Sequence, residues 1–309
     1  MSEERQINRR QFLRKTAGAA FGAGILGSGI LHRRAYAAPE AAAAAGKQQP
    51  KLRKAVVFSM LPESLSVEDR FKLARDVGFE GVEVDPIADP AERATMRAAA
   101  EKSGVRIHSI IFGGWGAPLA SPDAAVAGRG AAELESALKC AKELGAENVL
   151  LVPAIVDAKT RYIEAYERSQ KRIRALVPTA EKLGVIITVE NVWNNFLLSP
   201  IEFARYVDEF KSPYVQAYFD VGNVVAFGWP EDWIRTLGRR IKKVHLKDFK
   251  RGPRQFCNLR DGDVDWPEVR KALAEVSYSG YLTAELGGGD EAYLRDLSAR
   301  MDKIIEGRA

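Results

Sequence analysis

Three carboxylates and one imidazole stand where this chain could most readily build chemistry. Glu190, Asp220, His245 and Glu285 each lie at or near the end of a short apolar or β-branched run, and Glu83 and His108 lie in earlier runs of the same kind. An unpaired charge buried by a strand is very costly, so each such residue asks for a partner or a task. One carboxylate at a strand end is often a helix cap, and one strand histidine is often a satisfied core residue. Four such groups at successive strand ends form a constellation instead. Brought together, three carboxylates repel one another unless a cation sits among them. With one imidazole they make a hard, mostly oxygen donor set, which suits one divalent ion. Mn2+ is the first choice, with Mg2+, Co2+ or Zn2+ as the other candidates.

The chemistry open to such a site is proton transfer next to a carbonyl. A keto sugar binding through its carbonyl oxygen and adjacent hydroxyl would chelate the cation, which stabilises the enediolate left when the α-proton departs. Glu190 and Glu285 are the candidate acid/base pair. Proton return to the other face gives an epimer, return to the neighbouring carbon gives an aldose–ketose isomer, and loss of a β-substituent makes the enzyme a lyase. The residues do not choose among these outcomes.

The elements that must position these groups alternate along the chain. Strand candidates are Lys54–Met60, Gly81–Asp85, Arg106–Ile111, Asn148–Pro153, Ile186–Asn191, Val215–Asp220, Lys242–Lys247 and Tyr281–Leu286. Stretches of helical period lie between them, several ending in a glycine suited to a left-handed cap, as at Gly104, Gly145 and Gly184. Eight alternating pairs predict a single-domain (β/α)8 TIM barrel over residues 54–309, with its active site at the C-terminal strand ends. An open doubly wound sheet would more often show a glycine-rich phosphate turn after its first strand. The sequence there reads Phe58-Ser-Met-Leu-Pro.

Strand alternation points Lys247 toward the mouth together with His245. Lys247 could balance carboxylate charge or polarise a carbonyl. Glu83 and His108 are read as hydrogen-bonding substrate hydroxyls, and Thr188, Tyr218 and Thr283 as residues beneath the ligands. Arg260, in the Asn258-Leu-Arg-Asp-Gly loop, could clamp a hydroxyl or acid group. Trp115, in Gly113-Gly-Trp-Gly, offers an aromatic face to a sugar.

The N-terminus reads as an address. Arg9-Arg10-Gln-Phe-Leu, a Gly/Ala-rich weakly apolar stretch and Ala35-Tyr36-Ala37 have the layout of a twin-arginine export signal over residues 1–37. That segment holds seven basic and two acidic side chains, which accounts for the whole formal net charge of +5. The remaining chain is near neutral, which excludes a nucleic-acid binder relying on a basic surface. The expected partners are the twin-arginine export machinery and a small sugar substrate, with an exported location, no stable membrane anchor and a homo-oligomer as an open option. Residues 38–53, rich in Ala, Gln and Pro, read as a flexible lead-in. Cys140 and Cys257 fit no metal or redox spacing, and Cys140 falls in a helical pattern as a buried residue.

Val189-Glu-Asn, Phe219-Asp-Val-Gly-Asn, Val244-His-Leu-Lys-Asp, Gly262-Asp-Val-Asp-Trp and Tyr281-Leu-Thr-Ala-Glu resemble the motifs of the xylose-isomerase-like barrels, which include sugar-phosphate isomerases and epimerases. The resemblance runs from about Lys54 to the end. It implies that Glu190, Asp220, His245 and Glu285 bind one divalent metal, with the two glutamates as the acid/base pair of the 3-epimerases. The segment Pro118-Leu-Ala-Ser-Pro-Asp and the later Ala141-Lys-Glu-Leu-Gly-Ala are similar to the ketopentose-phosphate 3-epimerases. Some ketose 3-epimerases have a histidine three residues after the metal aspartate. Here Asn223 stands there, as in the pentulose-phosphate branch, and is a candidate substrate contact. An exported protein would rarely meet a phosphorylated sugar, so a lyase or hydrolase of 3-keto-glycosides is the alternative, and a non-catalytic sugar-binding barrel a third. Abasic-site endonucleases use this barrel with several more histidines. Beyond the signal this chain has only His108 and His245.

Overall fold

The computed structural model describes residues 51–308. The predicted export signal and most of the lead-in lie outside the described residues. Eight parallel strands close into a barrel: β1 (Leu52–Val57), β2 (Gly81–Val84), β3 (Arg106–Gly113), β4 (Asn148–Leu151), β5 (Ile186–Glu190), β6 (Val215–Asp220), β7 (Ile241–Leu246) and, last, β10 (Gly280–Ala284), which pairs with both β7 and β1. Helices connect successive strands, so the predicted (β/α)8 barrel is the observed architecture. The two strands between β7 and β10, β8 (Asp248–Lys250) and β9 (Gln255–Cys257), form a separate antiparallel hairpin that strand periodicity did not anticipate.

Local chemistry sets the element ends. Ser66, Asp89, Asp123, Ser199, Asp265 and Asp290 each accept a first-turn backbone N–H of the helix that follows, satisfying donors the helix leaves unpaired. The helices Pro90–Ser103, Ala124–Leu144 and Tyr162–Leu183 stop at glycines with φ of 77°, 74° and 67°, a conformation that penalises any side chain. Between barrel and helices the core is aliphatic and aromatic, and Phe71, Leu134, Ile173, Phe203, Ile234, Val269 and Leu297 turn one apolar stripe of each helix onto the strands. Cys140 is buried in this layer and Cys257 is partly buried; neither forms a disulfide. Among the described residues no helix is long and apolar enough to cross a membrane.

The lumen is polar, where a barrel of this kind is more often filled with branched aliphatics. Near its base His108 stacks on Tyr281 with ring centroids 4.3 Å apart. Lys243 lies over the same Tyr281 ring and reaches Glu147 at 3.1 Å. Gly81 leaves the room for this stack, since a Cβ there would come within 2.6 Å of the Tyr281 ring. Asn148 donates to Ser109 and Thr188, each at 2.9 Å. These hydrogen bonds offset the cost of keeping such groups from water.

Candidate metal centre at the barrel mouth

Glu190 and Asp220 are the last residues of β5 and β6, His245 is the penultimate residue of β7, and Glu285 directly follows β10. One ligand atom from each lies within 4.8 Å of all the others. His245 Nδ1 is 2.9 Å from Glu190 Oε1, 2.8 Å from Glu285 Oε2 and 3.9 Å from Asp220 Oδ2. A single ring nitrogen cannot donate to three carboxylates. Lys247 Nζ stands 2.9 Å from Asp220 Oδ2 and 2.6 Å from Glu285 Oε2, yet both oxygens are buried without a well-directed hydrogen bond. Buried oxygens converging on one point with only a poorly directed lysine beside them fit a divalent cation, as does the donor chemistry of three carboxylates and one imidazole.

The protein's own charges divide the two glutamates. Burial pushes the Glu190 carboxyl up to about 7, with His245 only partly opposing it. At Glu285 burial also favours the neutral acid, but His245 and Lys247 outweigh it and hold the carboxyl well below its usual range. Glu190 is 5% exposed, whereas the side chain of Glu285 is 33% exposed. Burial raises Asp220 as well, against the pull of Lys247. The imidazole of His245 and the amine of Lys247 are both raised, because the surrounding carboxylates overcome the desolvation that would lower them.

Beside Lys247 and Glu285 a chamber of about 590 Å³ opens, walled chiefly by Phe256, Asn258, Leu286 and Tyr293. Phe256 belongs to the β8–β9 hairpin and stacks on Trp193 at 5.1 Å, and both rings are partly exposed.

A model of the xylose isomerase-like TIM barrel matches residues 71–304. The chain belongs to that family. An L-ribulose-5-phosphate 3-epimerase of Escherichia coli O1:K1 / APEC is 28% identical over 257 residues, covering 76% of this chain and 90% of that protein. A D-psicose 3-epimerase from Clostridium cellulolyticum H10, solved with D-tagatose, superposes with a TM-score of 0.69 at 18% identity, over 81% of this chain and 97% of that one. An E. coli 3-keto-D-glucoside 4-epimerase does so with a TM-score of 0.71 at 15% identity, over 82% and 99%. The three proteins named are sugar or sugar-phosphate epimerases.

Within this member of the family, several residues expected at the substrate sit elsewhere. His108 is wholly buried near the base of the lumen, where its Nε2 faces Thr283 Oγ1 at 3.1 Å. The reason is strand length: β3 runs on to Gly113, so His108 is only its third residue. Burial holds its imidazole well below the ordinary value, so it is neutral. Glu83 is also wholly buried, and its Oε2 is taken by His245 Nε2 at 2.7 Å and by the Tyr218 hydroxyl at 3.1 Å. Its place is therefore beneath His245, shielded from solvent. Asn223 is capped and clamps: its backbone N–H donates to Asp220 Oδ1, the cap of its short helix, at 2.7 Å, and its side-chain amide donates to the Asn191 carbonyl at 3.0 Å. Trp115 is half exposed after Gly113 and Gly114, both at positive φ, at the rim end of β3. Arg260, at a φ of 70°, donates its backbone N–H to Asp248 Oδ2.

Two residues that hold the site were missed by reasoning from strand ends. Asn191 exchanges two 2.9 Å hydrogen bonds with the Asp220 backbone, fixing the ends of β5 and β6 side by side. Asp248 accepts from the N–H groups of Phe249, Arg260 and Val264 and from the Trp266 indole, which ties the hairpin and its loop together. Both lay inside quoted motifs, as the Asn after Glu190 and the Asp after Lys247. Gly222, in Phe219-Asp-Val-Gly-Asn, lets the chain pass Lys247, whose Cβ would be 2.4 Å from any Cβ there.

Proposed function

We propose that this chain is a divalent-metal-dependent sugar epimerase or isomerase, in which Glu190, Asp220, His245 and Glu285 hold one cation and the two glutamates move a proton. The observation that carries the reading is the opposed setting of those glutamates. They meet the same histidine nitrogen at 2.9 and 2.8 Å, yet one is buried while the other is part-exposed. Carboxyl pairs whose environments push them apart are the usual basis of acid/base division of labour. Mn2+ is the cation we favour, ahead of Mg2+, Co2+ and Zn2+.

A cation bound there supplies Lewis-acid stabilisation of the negative charge that develops on the sugar oxygen. One of the two glutamates, in its ionised form, takes the proton from the carbon beside the sugar carbonyl. The C–H electron pair becomes the C=C bond of an enediolate, and the carbonyl π pair moves to oxygen. The other, which enters the cycle as the neutral acid, gives its own proton to the opposite face of the same carbon, and the carbonyl reforms. The reverse epimerisation exchanges the two roles, and return to the neighbouring carbon gives an isomer instead. Lys247, paired with Asp220 and Glu285, keeps excess negative charge from accumulating. Trp115 and Arg260 are proposed to meet the sugar from the rim loops.

One observation favours a second reading, action on a 3-keto-glycoside. The chamber beside Glu285 has walls of Phe256, Leu286 and Tyr293, and its lining cation, Lys247, is engaged by two carboxylates. Those three side chains suit the apolar face of a group joined to the sugar, and Asn258 with Gly287 and Gly288 completes a lining of mixed polarity. An exported location after passage through the twin-arginine machinery is part of the same proposal. The test of the whole is chelation: metal-stripped protein should lose turnover of ketoses and keto-glycosides and regain it with Mn2+. Full turnover in protein shown by metal analysis to be cation-free would overturn it.

A further inference from the structure

His245 is held from two sides, and the lower side is the less expected. Its Nδ1 edge faces Glu190, Asp220 and Glu285, while Nε2 lies 2.7 Å from Glu83 Oε2. Glu83 comes from β2, two strands removed from β10 and three from β7 in the closed barrel, so its carboxylate crosses the lumen to reach the ring. The same oxygen accepts the Tyr218 hydroxyl at 3.1 Å, and the Tyr218 ring packs on the His245 ring at 4.3 Å between centroids. Tyr218 O–H also reaches Thr283 Oγ1, at 3.4 Å. Glu83, Tyr218 and Thr283 are fully shielded from solvent and His245 almost so.

Packing alone does not account for this arrangement. An apolar side chain at position 83 would fill the lumen without the desolvation cost of a carboxylate, and buried ionic groups are often replaceable by well-packed apolar ones. Glu83 even leaves Oε1 without a partner. Its effect is directional: once a cation takes the place of a hydrogen at Nδ1, an acceptor at Nε2 keeps the ring hydrogen on that side and leaves the Nδ1 lone pair for the cation. We propose that Glu83 is a positioning residue, which with Tyr218 fixes the tautomer and rotation of His245 so that Nδ1 is presented to the cation. The inference rests on the metal reading of the site. Partners of this kind behind a ligand histidine commonly set metal affinity by about 10- to 100-fold.

Two substitutions grade the effect. Glu83→Gln keeps an acceptor and loses the charge, whereas Glu83→Leu loses both. Mn2+ affinity, read from the free-ion electron paramagnetic resonance signal during titration, should fall in the order wild type, Glu83→Gln, Glu83→Leu. The leucine variant should bind roughly 10- to 100-fold more weakly. With Mg2+ bound, the His245 ring should show its hydrogen on Nε2 by 15N NMR in the wild type and lose that single state in the leucine variant. If the leucine variant does not fold, Tyr218→Phe removes only the hydroxyl that shares Oε2 and should weaken Mn2+ several-fold. Variants that keep wild-type affinity and the same ring state would overturn this inference alone. Wild-type protein that binds no Mn2+ would overturn it together with the reading it rests on.

Discussion

The two halves of the barrel end differently. Strands β5 and β6 close on Glu190 and Asp220, β7 delivers His245 and Lys247, and β10 runs into Glu285. Strands β1 to β4 close on Val57, Val84, Gly113 and Leu151. The first half makes a wall and the second half makes a site. The division is not complete, because Glu83 crosses from the first half to hold His245. A carboxylate at the rim faces the cation position, whereas one a step down its strand becomes a support.

That contrast is broken most sharply by Asp220→Ala. Removing a second-half rim carboxylate should weaken Mn2+ binding by on the order of 1000-fold, beyond the 10- to 100-fold range of supporting residues. Calorimetric titration gives the number, and a loss under tenfold would mean that Asp220 is no ligand.

A pair of glycines tests the halves against each other. A Cβ at Gly222 would meet Lys247 at 2.4 Å, and one at Gly81 would meet the Tyr281 ring at 2.6 Å. Both alanine variants should lose about 1–3 kcal/mol of stability by overpacking. Only Gly222→Ala should also weaken Mn2+ binding, since only it displaces a residue in contact with the cluster. Equal effects on metal affinity would erase the distinction between mouth and base.

At the base, Glu147 ties the halves through Lys242 and Lys243. Burial favours its neutral acid, but the two lysines outweigh it and hold the carboxyl at about 2, below its usual 4.5. A lowered carboxyl stabilises the fold above its unfolded value and loses that contribution as pH falls through the folded one. Acid unfolding of Glu147→Gln should therefore lack part of the decline between about pH 4.5 and 2. The difference should be about 1 kcal/mol, modest because 36% of the side chain is exposed. The smallest effect is expected at Asp85→Asn, where an exposed carboxylate just past β2 should leave Mn2+ affinity within about twofold of wild type.

Much of this was legible in the sequence because the barrel repeats one signal eight times. Each strand is an apolar run, and each rim residue ends or follows one, so Glu190, Asp220, His245 and Glu285 could be located without coordinates. Lys247 stands beside Asp220 and Glu285, on the side to which alternation sends it with His245. What alternation could not give was depth. His108 and Glu83 look like rim residues until the length and stagger of β3 and β2 are known, and stagger is a property of closure. The hairpin was hidden for another reason: β8 and β9 are three residues each, held by one side chain, Asp248, and such hydrogen bonding has no periodic trace.

The most direct test of the central claim is solvent proton exchange. Purified Mn2+-loaded protein would be incubated in D2O with free ketoses and 3-keto-glycosides, beside Glu190→Gln and Glu285→Gln variants. The account predicts deuterium at the carbon next to the carbonyl in recovered sugar, lost in both variants. Substrate turnover without deuterium at that carbon, or exchange undiminished in both variants, would contradict it.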